Sequence, residues 1–269
     1  MLKNLAGLWR HRALGLVLVS RELKARYRGS VLGYFWSLLN PLLMLAVYSI
    51  VFAFIFPGRS PSTSPYALFL FTGLLPWNWL SGGLTDAAAS LTTHGALLRK
   101  ILFPAEILPL VAVAAQGVHF LLALPVLGVG LALGTAGAFG PAVPLGWPLV
   151  QAAPLFFLEG VFIAGLGLLL AALTVHFRDV KDILATGLTL WFFATPVLYA
   201  LPDIRIEGLR AALLWNPATP FFEAWRDAFF RAAWIAPRSW GVLVLVSFGA
   251  LLLGYALFDR LRDSFPEAV

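Results

Sequence analysis

The sequence predicts an all-α membrane protein with six transmembrane helices, an N-terminal interfacial amphipathic helix, and a re-entrant external helical segment between spans five and six. Composition is the first observation behind this prediction. Of 269 residues, 60% are hydrophobic and 12% charged, about half the roughly 25% charge that a solvated globular surface carries. The mean hydropathy is +0.86. The second observation is the spacing of charge. Intervals without Asp, Glu, Lys or Arg run 29–58, 60–85, 107–158, 160–177, 183–202 and 239–258, and a crossing helix needs about 20 apolar residues. The third is the distribution of Lys and Arg, which follows the spans and sets their orientation.

Residues 1–33 form the cytoplasmic interfacial segment. The apolar run Ala13 to Val19 is short and is followed by Ser-Arg-Glu-Leu-Lys with no small-residue cleavage site, so it is not read as a cleaved signal. Trp9, Ala13, Leu16, Leu23 and Tyr27 recur at helical spacing with basic residues between them, the pattern of a helix lying in the membrane interface. The transmembrane domain is placed at 34–262. Its first two spans are read at 34–56 and 66–85. The interval 107–158 is too long for one crossing, and Gly134, Gly137, Gly140, Pro141, Pro144, Gly146 and Pro148 mark a turn within it. Spans three and four therefore fall at 106–133 and 147–175, span five at 183–201 and span six at 239–258. Residues 263–269 are read as a cytoplasmic tail.

Segment 202–238 is the sizeable external element. Thr219 suits an N-cap and Pro220 the first helical position, while Phe221, Phe222, Trp225, Ala228, Phe229, Ala232 and Ala233 make one apolar face. Such a helix is too short to cross and is expected to re-enter the outer interface and pack on the bundle. With six crossings, thirteen of the 19 Lys and Arg fall on one side, seven of them in residues 1–33. Both termini are accordingly placed in the cytoplasm.

Several functions are excluded. The absence of cysteine removes disulfides, zinc-thiolate sites, iron–sulfur clusters and a cysteine nucleophile. No H-E-x-x-H occurs, and His11, His94, His119 and His176 have no metal-ligand spacing. The four lysines are followed by Asn, Ala, Ile and Asp, so there is no P-loop and no intrinsic ATPase. The net charge of +6 and pI near 10.0 do not indicate nucleic acid, because the basic residues flank apolar spans. Inside the spans, Glu159 is the clear charge and His119 a second polar group. A carboxylate at mid-bilayer costs about 2.5–3.5 kcal/mol on insertion scales. Proton or substrate handling and helix packing both remain open for Glu159. Gly160, Gly165 and Gly167, with Ala164 and Ala171, are read as sites of close helix approach.

Three stretches go beyond generic membrane composition. The first is Arg21-Glu22-Leu23-Lys24-Ala25-Arg26-Tyr27-Arg28-Gly29-Ser30-Val31-Leu32-Gly33-Tyr34-Phe35-Trp36-Ser37-Leu38-Leu39-Asn40-Pro41. The second is Leu97-Leu98-Arg99-Lys100-Ile101-Leu102-Phe103-Pro104-Ala105-Glu106-Ile107-Leu108-Pro109. The third comprises Phe177-Arg178-Asp179-Val180, Thr195-Pro196-Val197-Leu198-Tyr199, Asn216-Pro217 and Arg226-Asp227. Their order and spacing, over about residues 20–262, resemble the ABC-2 type polysaccharide exporter permeases, which move lipid-linked O-antigen, capsule and teichoic acid. Glu22 stands where Asp is commoner in that group, and Ala105 where a basic residue often follows the Phe-Pro pair.

The resemblance implies a homodimer of this chain with two copies of a separate cytoplasmic ATPase. The partner binds ATP and Mg, and this chain holds no cofactor. It also implies that segments 88–104 and 176–182 transmit ATPase closure, with Arg99, Lys100, Phe103, Pro104, Arg178 and Asp179 as coupling residues. The basic members of that set read equally as topology markers. Tyr34, Phe35, Trp36 and Tyr48 crowd the first span and are read either as an interfacial belt or as a sugar conduit. Arg26 and Arg28 precede them and suit a lipid pyrophosphate. The implied function is the permease subunit, not itself an enzyme, that exports an undecaprenyl-linked O-antigen-type polysaccharide of lipopolysaccharide across the bacterial inner membrane. Alternatives are export of teichoic acid, capsule, a small lipid or a drug. From other classes, a glycosyl or acyl transferase would need clustered acids that the chain lacks, and a scaffold would leave the basic cytoplasmic segments unexplained.

Overall fold

The computed structural model describes residues 12–51, 61–95, 104–139 and 141–265, and all regular elements among them are helical. Arg99, Lys100 and Phe103 lie outside the described residues, as do Trp9, His11 and Arg59. The α-helices are α1 (Arg12–Tyr27), α2 (Trp36–Ile50), α3 (Tyr66–Thr93), α4 (Ile107–Thr135), α5 (Ala152–His176), α6 (Val180–Phe193), α7 (Glu207–Leu214), α8 (Thr219–Phe229) and α9 (Pro237–Leu261). By length and composition, Ile107–Thr135, Trp147–His176 and Pro237–Ser264 suffice to cross a membrane.

Helices α3, α4 and α5 pack mutually at the centre; α9 lies along α5, while α1 and α2 lie along α4. Small residues set the closest approaches. A Cβ on Gly254 would sit 1.9 Å from the Gly165 carbonyl oxygen, and one on Gly165 would sit 2.4 Å from Ala250 carbon. Helices α5 and α9 therefore cross backbone to backbone. Gly167 faces Ala87, and Gly160 faces the Trp79 indole. The expected packing role of these α5 glycines matches these contacts.

The turn expected within 107–158 is present. Helix α4 ends at Thr135, Gly137 takes φ +77°, and the Gly137 and Ala138 amides donate to Gly134 (3.1 Å) and Leu133 (3.0 Å). A helix ending in this way needs a residue free to adopt the left-handed region.

Four local differences from expectation have physical causes. Helix α3 continues to Thr93, well past 85, because Ala87, Ala88 and Leu91 remain buried in the bundle. Helix α6 stops at Phe193 instead of running to 201. Pro196 cannot donate the next helical bond and pushes Thr195 out of the helical region, so 194–200 is irregular. On α1 the buried side is Leu18, packed with Leu14 and Val19 against Ile107 and Val111. Ala13 and Leu16, members of the stripe read for the membrane interface, are exposed, and the docking residue Leu18 lies outside that stripe. The C-terminal turn Arg262–Ser264 folds back, and Phe265 is 1% exposed within an apolar cluster. The chain there is anchored through 265; residues 266–269 lie outside the described set.

Candidate functional site

A lateral cleft of about 530 Å³ opens between the α1–α2 elbow and the α3–α4 pair. Its floor is polar. From α1, Arg26 donates to Asp86 of α3 at 2.8 Å. From α4, Gln116 Nε2 donates to the same Asp86 oxygen at 2.5 Å. One turn on, His119 Nδ1 lies 3.2 Å from the Tyr27 hydroxyl and 3.3 Å from the Ser37 hydroxyl, and those two hydroxyls hydrogen-bond each other. The His119 Nε2 is buried and has no hydrogen-bond partner among the described residues. Asn40, Asn78 and the face of Trp36 complete the polar and aromatic lining. The elbow itself rests on Gly29 and Gly33, at φ +80° and +50°.

Of the residues assigned to substrate, Arg26 and Trp36 meet at this cleft. Arg28 is exposed outside the lining. Phe35 is exposed and does not line the cleft. Tyr48, three turns up α2, packs half-buried against the central cluster. The backbone of Tyr34 is in the short helical turn Gly33–Phe35. Trp36 thus meets the cleft, while Phe35 and Tyr48 lie elsewhere.

Glu159 does not reach the cleft. It is 1% exposed and accepts from Trp225 Nε1 of α8 at 2.6 Å. That bond fastens α8 to α5, a packing role.

The third sequence stretch assembles at one place. Arg226, wholly buried, donates from Nη2 to the Val197 carbonyl at 2.8 Å and from Nη1 to the Tyr199 carbonyl at 3.1 Å. It pairs with Glu223 at 3.2 Å and lies 3.8 Å over the Phe69 ring. Asn216 donates to the Ala194 carbonyl at 2.8 Å and accepts from Trp191 Nε1 at 2.8 Å. Its Oδ1 also takes the Ala218 amide at 3.0 Å. Thr219, not the N-cap, is the first helical residue of α8, and Ala218 is the N-cap, without a side-chain cap; the Thr219 hydroxyl donates back to the Leu213 carbonyl at 2.7 Å. Arg231 bridges Asp227 (2.7 Å) and Glu223 (2.9 Å). Burial lowers the Arg226 pKa to about 10 against the pull of Glu223, and burial raises that of Asp227 against the pull of Arg231. These groups satisfy the irregular backbone after α6, while the Arg226 Nε is buried with no hydrogen-bond partner among the described residues.

At the opposite end lie the coupling candidates. Pro104 opens the turn into α4, its carbonyl accepting from the Ile107 amide at 3.1 Å. Arg178 and Asp179 are exposed between α5 and α6, and neither side chain makes a hydrogen bond or ion pair among the described residues. Lys181 donates to the Thr92 hydroxyl at 3.0 Å, joining this turn to the end of α3.

Asp86 and Gln116 were not singled out from sequence. Asp86 reads there as the edge of a span, and only the pairing of α3 with α4 and α1 brings it to Arg26 and Gln116, which line the cleft. The available signal was Asp86 as the lone acid between Glu22 and Glu106.

Residues 14–230 match the family model described as ABC-2 type transporter. The O-antigen export system permease protein RfbA of Myxococcus xanthus is 35% identical over 270 residues, covering 100% of both chains. A protein of the same name from Klebsiella pneumoniae is 30% identical, covering 94% of this chain and 93% of its own. The polysialic acid transport protein KpsM of Escherichia coli is 24% identical, covering 91% and 92%.

Proposed function

This chain belongs to the ABC-2 type transporter family, and from that premise we propose that it is the membrane subunit of an exporter of O-antigen-type, lipid-linked polysaccharide. The observation that carries the reading is full-length similarity to two O-antigen export permeases. The absent P-loop supports a separate ATPase that binds ATP and Mg. Six crossings, both termini in the cytoplasm, an inner-membrane location and two copies of each chain complete the proposal. Helix α6, at 14 residues, spans about 21 Å, short of a ~30 Å hydrocarbon core. Segment 194–200 extends it, and its carbonyls are covered by Tyr66, Asn216 and Arg226, as irregular backbone at membrane depth requires.

Within this unit, the lateral cleft takes the lipid head and the first sugars. Arg26 can turn from Asp86 to a phosphate, and the Trp36 ring receives an apolar sugar face. Segments 88–104 and 176–182 receive the ATPase movement, with exposed Arg178 and Asp179 meeting the partner. The test is reconstitution with the neighbour-encoded ATPase in vesicles containing undecaprenyl-linked O-antigen. ATP-dependent delivery of polymer to the opposite face is expected. Delivery of a capsule or teichoic polymer, with none of O-antigen, overturns the substrate assignment.

A further inference from the structure

The cytoplasmic end of the molecule holds a second apolar cluster, separate from the central core. Leu91 closes α3, Leu108 opens α4, Val175 closes α5, and Phe258 ends α9; all four are buried with Phe265 in this cluster. Phe265 packs edge-on to Phe258 at 5.1 Å between ring centroids and lies 6.1 Å from the His176 ring. The turn just before it reaches both cytoplasmic segments. Ser264 Oγ lies 2.9 Å from His176 Nε2, at the start of segment 176–182. Arg262 Nη1 lies 3.7 Å from Glu106, beside the end of segment 88–104, and 3.2 Å from Asp259 on its own helix.

The two kinds of contact differ in weight. Arg262 is more than a third exposed, and although Glu106 is largely buried their 3.7 Å separation is too long for a hydrogen bond, so its ion pairs add little. Burying the Phe265 ring removes a large apolar surface from water at the level where the membrane ends. A chain end that merely trailed into the cytoplasm would leave this ring exposed.

We propose that the C-terminal turn, Arg262 to Phe265, is a strut that locks the described parts of the two cytoplasmic segments, 88–95 and 176–182, into one rigid body, so that closure of the ATPase moves α3, α4, α5 and α9 together. The proposal rests on reading 88–104 and 176–182 as the coupling segments. Without the strut, the bond from Lys181 to Thr92 is the direct polar tie between them among the described residues, and a single exposed bond is a loose joint. The segments then yield separately, and hydrolysis proceeds without full movement of the helices.

The chain has no cysteine, so introduced ones report cleanly. The complex with its neighbour-encoded ATPase is compared for wild type, Phe265→Ala and Phe265→Leu at equal inserted protein. For Phe265→Ala, ATP hydrolysis is expected to continue while polymer exported per ATP falls about fivefold or more, the lower end of coupling between sites. Phe265→Leu restores most of it. Spin labels at Thr93→Cys and Asp182→Cys should give one narrow distance distribution in wild type and a broad one with Phe265→Ala. Should Phe265→Ala fail to insert, Arg262→Glu provides the second variant, with an expected loss of about twofold. A cross-link from Arg178→Cys to the ATPase tests the coupling reading separately. A cross-link with unchanged export per ATP in both variants overturns the strut alone; no cross-link together with unchanged export overturns both.

Discussion

Arg226 shows how one side chain replaces secondary structure. Pro196 ends α6, and the carbonyls of Val197 and Tyr199 then need donors; the fixed fork of one guanidinium supplies both. The ring of Phe69 beneath it offsets part of its lost hydration. Lysine keeps the charge but not the fork. Arg226→Lys is therefore expected to lower the amount of inserted, protease-resistant protein, and Arg226→Ala to lower it further. Glu223 keeps Arg231, but leaving the Val197 and Tyr199 carbonyls without their donor costs about 1–3 kcal/mol each where they are buried. Wild-type yield from Arg226→Ala would refute this. At the cleft, Trp36→Ala is expected to reduce export per inserted protein and to leave lipid-linked polymer inside, while Trp36→Phe retains most export. Equal normalised export by the two variants and wild type would make Trp36 an anchor in the interface.

At the scale of elements, the α5–α9 crossing is the most sensitive joint. No space exists for a methyl on Gly254 without separating two backbones, and overpacking of this kind costs about 1–3 kcal/mol. Gly254→Ala should lower the thermal midpoint of the detergent-solubilised protein, whereas Gly249→Ala on the same helix, with nothing within 4 Å, should leave it unchanged. Equal midpoints would show that the helices separate freely. How much of this architecture is legible beforehand depends on the element. Helices α4, α5 and α9 follow from long apolar runs, that of α5 broken by Glu159 alone, and the α4–α5 turn follows from its glycines and prolines. The end of α6 needed Pro196 to be weighed against an apolar run that continues past it. The inner face of α1 could not be read, because α1 is apolar on more than one side: Leu16 and Val17 are exposed while Leu18 docks on α4. At the cleft, Arg26 and Trp36 were legible as a charge beside an aromatic ring. Asp86, Gln116 and the two hydroxyls on His119 were not, since their meeting depends on three helices that sequence spacing does not relate. Arg178 has no intrachain partner among the described residues, so Arg178→Ala should leave insertion intact and lower export per ATP hydrolysed. Unchanged coupling at normal protein levels would leave Arg178 as a topology marker.

The whole molecule constrains where a polymer travels. The space between α3, α4 and α5 is filled by side chains such as Phe69, Leu84, Leu127 and Phe162, each nearly inaccessible, so a single chain encloses no path there for a sugar. The cleft instead opens sideways at the α1–α2 elbow, and a laterally open cleft leads to a conduit only if something closes its outer side. Lipid is a poor candidate for that wall, because Asn40, Asn78, Gln116 and Arg26 line the cleft and polar groups at membrane depth need protein or water as partners. A second copy of the chain would provide such a wall, and two copies would offer two sets of the proposed coupling turns to two ATPases. The expected active unit therefore contains two permease chains and two ATPase chains. Mass measurement of the exporting complex checks this directly, together with disulfide formation between copies carrying single cysteines along the exposed face of α2, at Leu43 or Val47. The two-chain cross-link should form in the assembled complex and, if it bridges the conduit, should stop export until it is reduced. The same preparation tests the division of labour: this chain alone should hydrolyse no ATP. Export by a complex holding one permease chain, or hydrolysis by the permease alone, would require a path and a nucleotide site that neither the packed interior nor the sequence contains.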